Sequence, residues 1–365
     1  MNGLPRVRVL LLGPARTVPS GVATHLNQLF ASSVASVFEL GHFQVGSEGR
    51  NESALRTLCR LVTSPLSLSL RLLTSRPRIV HINTSMDAKA YWRDLIYFAV
   101  CKLLRRKVVY QVHGGALPAD FFARSQALSG LLRWTLCTAD AVVVLASIEL
   151  RAYMQFAPGA RMVHIANAVV TDTPDFAGKF REVSERPLEI VYVGRLAVSK
   201  GILETVQAVG ILRDRGVTVR LRIAGSGPAR SQLESAIAAE RLGDRVSLIG
   251  EVFGERKAAL WYQADVLALP SYQEGLPYAL LESMASGVVP VTSPVGGIPD
   301  VVEDQVQGLL VPNRDPGAVA DALARLAGDR LMLQRMAQAA RGRIIDAFSI
   351  PRLESQFETL YESLA

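Results

Sequence analysis

Cysteine is scarce in this sequence. Its 365 residues include three cysteines, Cys59, Cys101 and Cys137, and no two of them form a C-x-x-C pair. So few cysteines argue against a disulfide-bonded scaffold, and the lack of paired cysteines argues against a metal site built on thiolates. We therefore expect a protein of a reducing compartment, the cytoplasm.

The sequence also lacks a long apolar run. A membrane-spanning helix needs roughly 18 or more consecutive apolar residues, and the longest candidate, residues 95–104, is interrupted by Lys102. The apolar residues near the N-terminus end at Gly13-Pro14, which is typical of a first β-strand rather than of a signal peptide. The sequence therefore predicts neither a membrane span nor a secretion signal.

Acidic residues are missing from one part of the chain. Residues 1–180 carry 20 Lys and Arg against 10 Asp and Glu, an excess of +10, whereas the remainder carries 20 against 23. Between Glu52 and Asp87 there is no acidic residue but there are five arginines, namely Arg56, Arg60, Arg71, Arg76 and Arg78. A basic half-molecule indicates an anionic partner, which could be membrane lipid, nucleic acid or a phosphorylated acceptor.

The acid-free segment has a pattern of its own. Leu55, Leu58 and Leu61 recur near helical spacing, and Arg56 and Arg60 lie four residues apart beside them. Such a basic amphipathic helix could lie on an anionic membrane. It could equally pack on a sheet and present its charges to solvent, and the sequence does not choose between the two. The membrane interpretation predicts a peripheral protein on the inner face of the cytoplasmic membrane.

Two further absences argue against two classes of protein. A G-x-G-x-x-G fingerprint does not occur, which weakens the case for a dinucleotide-dependent oxidoreductase. The basic half lacks the interleaved aromatic residues and the named modules of nucleic-acid-binding proteins, so a non-catalytic nucleic-acid-binding protein is the weaker alternative.

What is present is an alternation of apolar runs and helical segments, which predicts α/β architecture. A length of 365 residues favours two domains. A stretch of low hydrophobicity at residues 171–187 is the candidate linker. The predicted strands occupy residues 7–12, 79–83, 108–112, 141–145, 190–193, 221–224, 246–249, 264–269 and 288–292.

The stretch from residue 269 to residue 300 organises the chain. A loop after a predicted strand carries Glu274 and Gly275, and Pro277 fits the first turn of a helix at 278–286. Glu282 lies inside this otherwise apolar helix, where a carboxylate is costly unless it is paired. Two carboxylates beside a positive helix end could bind hydroxyl groups and phosphates together.

Other loops also follow predicted strands. Gly194-Arg195 and Lys200-Gly201 place two cations and two glycines between a strand and a helix, which favours a phosphate site. Gly225-Ser226-Gly227 follows the next strand, and His113-Gly114-Gly115 follows a strand of the first half. Ligands of doubly wound sheets gather at such carboxyl ends.

Together these motifs resemble the retaining GT-B glycosyltransferases (family 4-like, group 1). The resemblance rests on E-G-L-P-x-x-L-L-E-x-M-A-x-G at 274–287, on the glycine pair at 296–297, on G-R-L-x-x-x-K-G at 194–201 and on the loop at 225–228. It is strong over residues 190–300 and weak over 1–180. One departure is Ser20-Gly21, where the family usually has two glycines that approach the donor pyrophosphate.

The resemblance implies a fold and a division into domains. We expect two Rossmann-like parallel-sheet domains that face a central cleft, with an acceptor-side domain at 1–178 and a nucleotide-sugar-binding domain at 179–347. A C-terminal helix at 348–365 would cross back to the first domain.

The resemblance also implies the reaction, which moves a sugar from a UDP- or GDP-sugar to an acceptor hydroxyl with retention at the anomeric carbon. The catalytic group would be Glu274 on donor-sugar hydroxyls, Arg195 and Lys200 on the diphosphate, and His113 beside the sugar. Glu282 would bind the ribose. The full donor-binding set would be Gly21, Gly194, Gly225, Ser226, Val252, Gly275, Leu276, Pro277 and Glu282.

No cofactor is expected. An Asp-x-Asp motif is absent, so a metal that carries the diphosphate is not implied. The expected partners are the nucleotide-diphosphate sugar, a lipid-linked or glycan acceptor used in cell-surface polysaccharide biosynthesis, and an anionic membrane surface, without nucleic acid. A sugar-nucleotide epimerase or a phosphorylase on the same fold remains the alternative enzyme.

Overall fold

A computed structural model of the chain describes residues 6–47, 53–171 and 186–365. The chain divides into two compact units, one of Met1–Asn167 with Ile350–Ala365 and one of Ala168–Ser349. The division falls at Asn167, before the predicted boundary at 178, and most of the predicted linker lies outside the described residues.

The first unit is built on a six-stranded parallel sheet with the strand order β2-β1-β3-β4-β5-β6. Residues 9–12 of the first strand are buried without a break, as expected for a strand that helices cover on both faces. Up to residue 167 its elements are β1 (Arg8–Gly13), α1 (Gly21–Ala31), α2 (Val34–Val37), β2 (Glu39–Gln44), α3 (Ala54–Ser75), β3 (Ile79–Met86), α4 (Ala88–Leu103), β4 (Lys107–Gly115), α5 (Pro118–Phe121), α6 (Gln126–Thr138), β5 (Ala141–Val144), α7 (Ser147–Phe156) and β6 (Met162–His164).

The second unit holds another six-stranded parallel sheet, in the order β12-β11-β10-β7-β8-β9. Its strands match the predicted ones closely, so the expected α/β class with two parallel sheets is confirmed. Its elements are β7 (Leu188–Val193), a 3₁₀ turn (Val198–Lys200), α8 (Ile202–Asp214), β8 (Val219–Ala224), α9 (Arg230–Ala239), β9 (Val246–Gly250), α10 (Gly254–Gln263), β10 (Val266–Leu269), α11 (Tyr278–Ala285), β11 (Val289–Thr292), α12 (Ile298–Val301), β12 (Leu309–Leu310), α13 (Pro316–Gly328) and α14 (Arg330–Ala347).

Helices α13 and α14 are separated by a single residue. Helix α13 ends at Gly328 and α14 begins at Arg330. Asp329 lies between them with non-helical backbone, and its carboxylate accepts a hydrogen bond from the amide of Met332 at 2.8 Å. This N-cap starts a new helix, and the apolar spacing on either side of Asp329 does not reveal it.

The last helix, α15 (Ile350–Glu362), belongs to the first unit. Its Tyr361 hydroxyl lies 2.7 Å from His81 Nδ1, and the ring of Phe357 packs against both His81 and His25. At the other end, the Glu354 carboxylate accepts a hydrogen bond from the amide of Ser33 at 2.8 Å. The predicted return of the C-terminal helix to the first domain is thus observed as packing within this unit.

Across residues 6–47, 53–171 and 186–365, no helix combines the length and the hydropathy that crossing a bilayer requires.

The buried histidines give the first unit a predicted pH dependence. Burial lowers the pKa of His25 to about 4, and burial together with the neighbouring His25 lowers the pKa of His81 to about 3. Because the unfolded chain has the ordinary value of 6.5, it binds protons more readily than the folded chain in acid. Above pH 6.5 the ring is neutral in both states and the fold keeps its full stability. As pH falls from 6.5 towards 4 the unfolded chain is protonated first, so the fold loses stability.

We expect the free energy of unfolding of the first unit to fall by about 2 kcal/mol between pH 7 and pH 5 through His25 alone. Urea unfolding at the two pH values measures this loss. The variant His25→Phe removes the titrating group while it keeps a ring beside Phe357, so its stability should depend less on pH. An unchanged pH dependence in this variant would contradict the assignment.

Candidate functional site

The loops that follow the strands of the second sheet meet at one edge. Because the sheet is parallel throughout, the carboxyl ends of β7, β8, β9, β10 and β11 lie side by side. These ends deliver most of the residues that the sequence assigned to ligand binding, which is the expected position for a ligand of a doubly wound sheet. The structure brings this group together within the second unit.

The centre of this edge is an ion pair between Lys200 and Glu274. Lys200 Nζ lies 2.7 Å from each carboxylate oxygen of Glu274, and the Ser271 hydroxyl donates a further hydrogen bond to Oε1 at 2.7 Å. The side chain of Glu274 is 7% exposed and that of Lys200 is 28% exposed. The ammonium and the hydroxyl compensate the hydration that a carboxylate buried this far has lost.

Two glycines allow the loops to approach closely enough for this pair. Gly201 has φ +68°, and a Cβ there would lie 2.1 Å from the carbonyl oxygen of Pro270. Gly296 has φ +58°, and a Cβ there would lie 1.9 Å from the carbonyl oxygen of Glu274. Any side chain at either position would push apart the backbone segments that carry Lys200 and Glu274.

The neighbouring cation, Arg195, has a different environment. Its side chain is exposed and makes no ion pair within the part of the chain that the structure describes. Its carbonyl oxygen accepts a hydrogen bond from the Tyr192 hydroxyl at 2.7 Å. Burial, and then the charge of Glu274, raise the pKa of Tyr192, so this hydroxyl stays protonated as a donor. The loop is anchored while the guanidinium remains accessible.

The second carboxylate, Glu282, also has a partner. Lys257 of α10 lies 2.5 Å from Glu282 Oε2, and both side chains are largely buried. The sequence indicated that Glu282 needs a compensating group but did not identify Lys257. The adjacent Arg256 is an equally good candidate by pattern, and only the packing of α10 beside α11 distinguishes the two cations.

The loops after β8 and β9 are also in contact. The Ser226 hydroxyl donates to the exposed Glu251 carboxylate at 2.8 Å, and Val252 beside it is buried. Gly225 donates its amide hydrogen to the Gly250 carbonyl at 2.8 Å. The sequence named Ser226 and Val252 but missed Glu251, because a single exposed glutamate in a loop carries no distinguishing pattern.

The loop before α11 holds the remaining predicted residues of this unit. Gly275 accepts a hydrogen bond from the amide of Gly297 at 2.6 Å, Leu276 is buried and Pro277 occupies the N-cap of α11. Gly194 directly follows β7 and donates its amide hydrogen to the Ala224 carbonyl. These residues fix the backbone around Glu274, and whether they touch a donor stays a prediction.

His113 and Gly21 lie in the first unit. Gly21 is the first residue of α1, and the preceding Ser20 caps the helix by accepting from the amide of Ala23 at 3.2 Å. His113 lies near the end of β4, where its Nε2 is 2.8 Å from Asn83 Oδ1 and its ring is 5.0 Å from that of His25. Burial and the neighbouring His25 and His81 hold the pKa of His113 well below its ordinary value.

Within 6–47, 53–171 and 186–365, no group of three or more histidine, cysteine, aspartate or glutamate side chains is arranged to hold a metal ion. The polar side chains around the second sheet pair instead as cation and carboxylate.

Comparison with known proteins gives three findings of sequence similarity. The profile of the family described as "Glycosyl transferases group 1" matches residues 177–343. The amylovoran biosynthesis glycosyltransferase AmsK of Erwinia amylovora is 34% identical over 193 residues, which cover 51% of this chain and 47% of that protein. The α-D-kanosaminyltransferase of Streptomyces kanamyceticus is 32% identical over 53% of this chain and 50% of its own length. The chain thus spans about half the length of these curated relatives.

Similarity of structure extends further along the chain. The sucrose-phosphate synthase of Thermosynechococcus elongatus superposes with a TM-score of 0.81 at 20% identity, over 98% of this chain and 99% of that one. Anabaena HepE, solved in complex with UDP-glucose, gives a TM-score of 0.78 at 17% identity over 98% and 100%. At such identities the likeness establishes the fold, which is that of the GT-B glycosyltransferases, as the sequence predicted.

Proposed function

Since the profile of the Glycosyl transferases group 1 family matches residues 177–343, we propose that this protein is a glycosyltransferase that moves a sugar from a nucleotide-diphosphate donor to an acceptor hydroxyl. The observation that carries the proposal is the Lys200–Glu274 pair with the accessible Arg195 beside it at the edge of the second sheet. HepE, which shares the fold, is named as a complex with UDP-glucose, and this supports a UDP- or GDP-sugar as the donor.

The charges at this edge suit the two parts of such a donor. A diphosphate is anionic and would take Arg195 and Lys200 as cations, whereas the sugar offers hydroxyl donors that a carboxylate such as Glu274 accepts. Lys200 and Glu274 already satisfy each other, so a bound donor would exchange one ion pair for two complementary contacts. The ribose hydroxyls would make the corresponding approach to Glu282, which is paired with Lys257.

In the proposed reaction the bond between the anomeric carbon and the diphosphate oxygen breaks, and the acceptor oxygen bonds to the same carbon on the same face. The acceptor proton passes to an oxygen of the departing diphosphate. Negative charge grows on that diphosphate in the transition state, where Arg195 and Lys200 would stabilise it more strongly than in the ground state. Because two cations serve the diphosphate, we propose that turnover needs no divalent metal.

The proposed acceptor is a lipid-linked glycan. AmsK, one of the matched relatives, is named for the biosynthesis of a polysaccharide, which supports an acceptor of this class. Such an acceptor lies at a membrane surface, and the first unit has a surface suited to it on α3. We therefore propose that the protein binds peripherally to the inner face of the cytoplasmic membrane.

Helix α3 has two apolar faces. Leu68 and Leu72 are fully buried against the first sheet, so one face packs as an ordinary core helix. A second face is exposed, and we call it the α3 outer stripe; each of its residues is more than half exposed, namely Val62, Leu66, Leu70 and Leu73. The packing alternative therefore applies to the buried face, and the exposed face supports the membrane alternative as a proposal.

The α3 outer stripe lies beside a cation. At 100° per residue, Val62, Leu66, Leu70 and Leu73 share one side of the helix and the exposed Arg56 borders that side, whereas Arg71 lies about 140° from its centre. Exposed leucines next to an arginine without any acidic residue are the pattern of a helix that rests in the interface of an anionic bilayer. Leu66 is exposed, whereas the side chains of Leu55 and Leu58 lie outside the described residues.

The first experiment measures release of the nucleoside diphosphate from UDP- and GDP-hexoses, with and without a glycan acceptor. Arg195→Ala should lower kcat about 10²-fold, because a cation facing the leaving group is lost, and its exposure predicts unchanged stability. Lys200→Ala should lower kcat similarly but should also destabilise the fold, since it leaves Glu274 buried without its cation. Arg230→Ala, which removes an exposed ion pair on α9, is the matched control and should behave as wild type.

Three outcomes of this assay would count against the proposal. Turnover of Arg195→Ala and Lys200→Ala within a factor of two of wild type would remove both cations from the site. A rate that vanishes with excess chelator and returns with Mg²⁺ would contradict metal independence. Rapid reaction with the donor in the absence of any acceptor would favour an epimerase or a phosphorylase.

Membrane binding is tested by co-sedimentation with vesicles. We expect binding to anionic vesicles at low salt and weaker binding as salt rises, because each arginine near the surface contributes about 1 kcal/mol. Charge reversal in Arg56→Glu with Arg60→Glu, and loss of apolar contact in Leu66→Ser with Leu70→Ser, should each weaken binding at least about tenfold. Leu331→Ser removes an exposed leucine of the second unit and should have no effect. Protein that stays in the supernatant with anionic vesicles at low salt would contradict membrane docking.

A further inference from the structure

A buried asparagine connects three strands of the first sheet. Asn83 lies on β3, between β1 and β4, and is 2% exposed. Its Nδ2 donates to the carbonyl oxygen of Leu12 at 3.1 Å, and its Oδ1 lies 2.8 Å from Nε2 of His113. The amide group of Asn83 thus bridges the backbone of one neighbouring strand and the side chain of the other.

This bridge determines where the proton of the His113 ring lies. A backbone carbonyl can only accept hydrogen bonds, so the NH₂ group of Asn83 must face Leu12 and the amide oxygen must face His113. That oxygen is itself an acceptor, so Nε2 of His113 must carry a hydrogen. The order of donors and acceptors leaves one tautomer for a neutral ring, with hydrogen on Nε2 and a lone pair on Nδ1.

Nδ1 of His113 is the nitrogen that can meet a ligand. It makes no hydrogen bond within the described residues, yet it is not fully buried. His113 as a whole is partly exposed. The other two histidines of the cluster are not accessible. His25 and His81 are fully buried, and His81 Nδ1 faces the Tyr361 hydroxyl.

We propose that Asn83 is a positioning residue that holds His113 in the Nε2–H tautomer, so that Nδ1 accepts a hydrogen bond from a hydroxyl of the substrate sugar. The identity of the ligand as a sugar rests on the proposed function, whereas the tautomer does not. An accepting nitrogen selects hydroxyl donors and rejects carbonyl or phosphate oxygens, which would face its lone pair. The depressed pKa of His113 keeps the ring neutral at pH 7, which the accepting role requires.

The tautomer is measured on the free protein with ¹⁵N-labelled histidine, because the two ring nitrogens resonate differently when protonated and when not. At pH 7 His113 should show a protonated Nε2 and an unprotonated Nδ1. An Nδ1–H tautomer or a doubly protonated ring in wild type would overturn the proposal, whatever the activity assay shows.

Two variants at Asn83 separate its contacts. Asn83→Asp and Asn83→Leu both lose the hydrogen bond to Leu12, but only aspartate can still accept from His113. The aspartate variant should keep the Nε2–H tautomer and raise the pKa of His113, since a carboxylate favours the imidazolium, whereas the leucine variant should show a mixture of tautomers. An unchanged pKa of His113 in Asn83→Asp would contradict the contact, and this holds even if Asn83→Leu fails to fold.

Titration with UDP-glucose then tests the role of Nδ1. His113→Ala should weaken binding about 10-fold, the worth of one hydrogen bond to a ligand. Asn83→Leu should weaken binding by the reciprocal of the fraction of rings that keep the Nε2–H form, about twofold for an even mixture, and should cause no additional loss in a His113→Ala background because it acts through that ring. If Asn83→Leu weakened UDP-glucose binding by the same factor with and without the His113 ring, Asn83 would have a structural role only. Failure of every form, including wild type, to bind UDP-glucose would count against the proposed donor and leave the tautomer measurement to decide the proposal.

Discussion

The second unit depends on the ion pair between Lys200 and Glu274. An unpaired carboxylate at 7% exposure would cost several kcal/mol, so the loop after β10 is stable only while the loop after β7 supplies its ammonium. Gly201 and Gly296 are needed because the two backbones approach too closely for any Cβ. Ser271 completes the arrangement by donating to the same carboxylate.

Under the proposed function, the same pair makes a stable site that also responds to its ligand. Lys200 and Glu274 are complementary to each other, and separately they are complementary to a diphosphate and to sugar hydroxyls. A donor that supplies both groups can replace the internal contact without leaving a buried charge unpaired, whereas a ligand with only one of the groups cannot. The pairing of Glu282 with Lys257 repeats this arrangement for a second carboxylate.

Much of this could be predicted from the sequence, and the remainder could not for a physical reason. Continuous apolar runs identify buried parallel strands, and the residues just after them must lie at one edge, so Arg195, Lys200 and Glu274 were predicted together. Partners chosen by packing leave no such signal. Lys257 is one of two adjacent cations on α10, and Asn83 is one polar residue in a buried strand, so only the folded structure shows their contacts with Glu282 and His113.

The most direct test of this account compares the affinity of a nucleoside diphosphate with that of its sugar, by calorimetry with UDP and UDP-glucose. Glu274→Gln should abolish the advantage of UDP-glucose over UDP, about tenfold if one charged hydrogen bond is lost, and should leave UDP binding equal or tighter because Lys200 is released. Lys200→Met should weaken both ligands. If Glu274→Gln weakened UDP and UDP-glucose by the same factor, the proposed division of the pair between phosphate and sugar would be wrong.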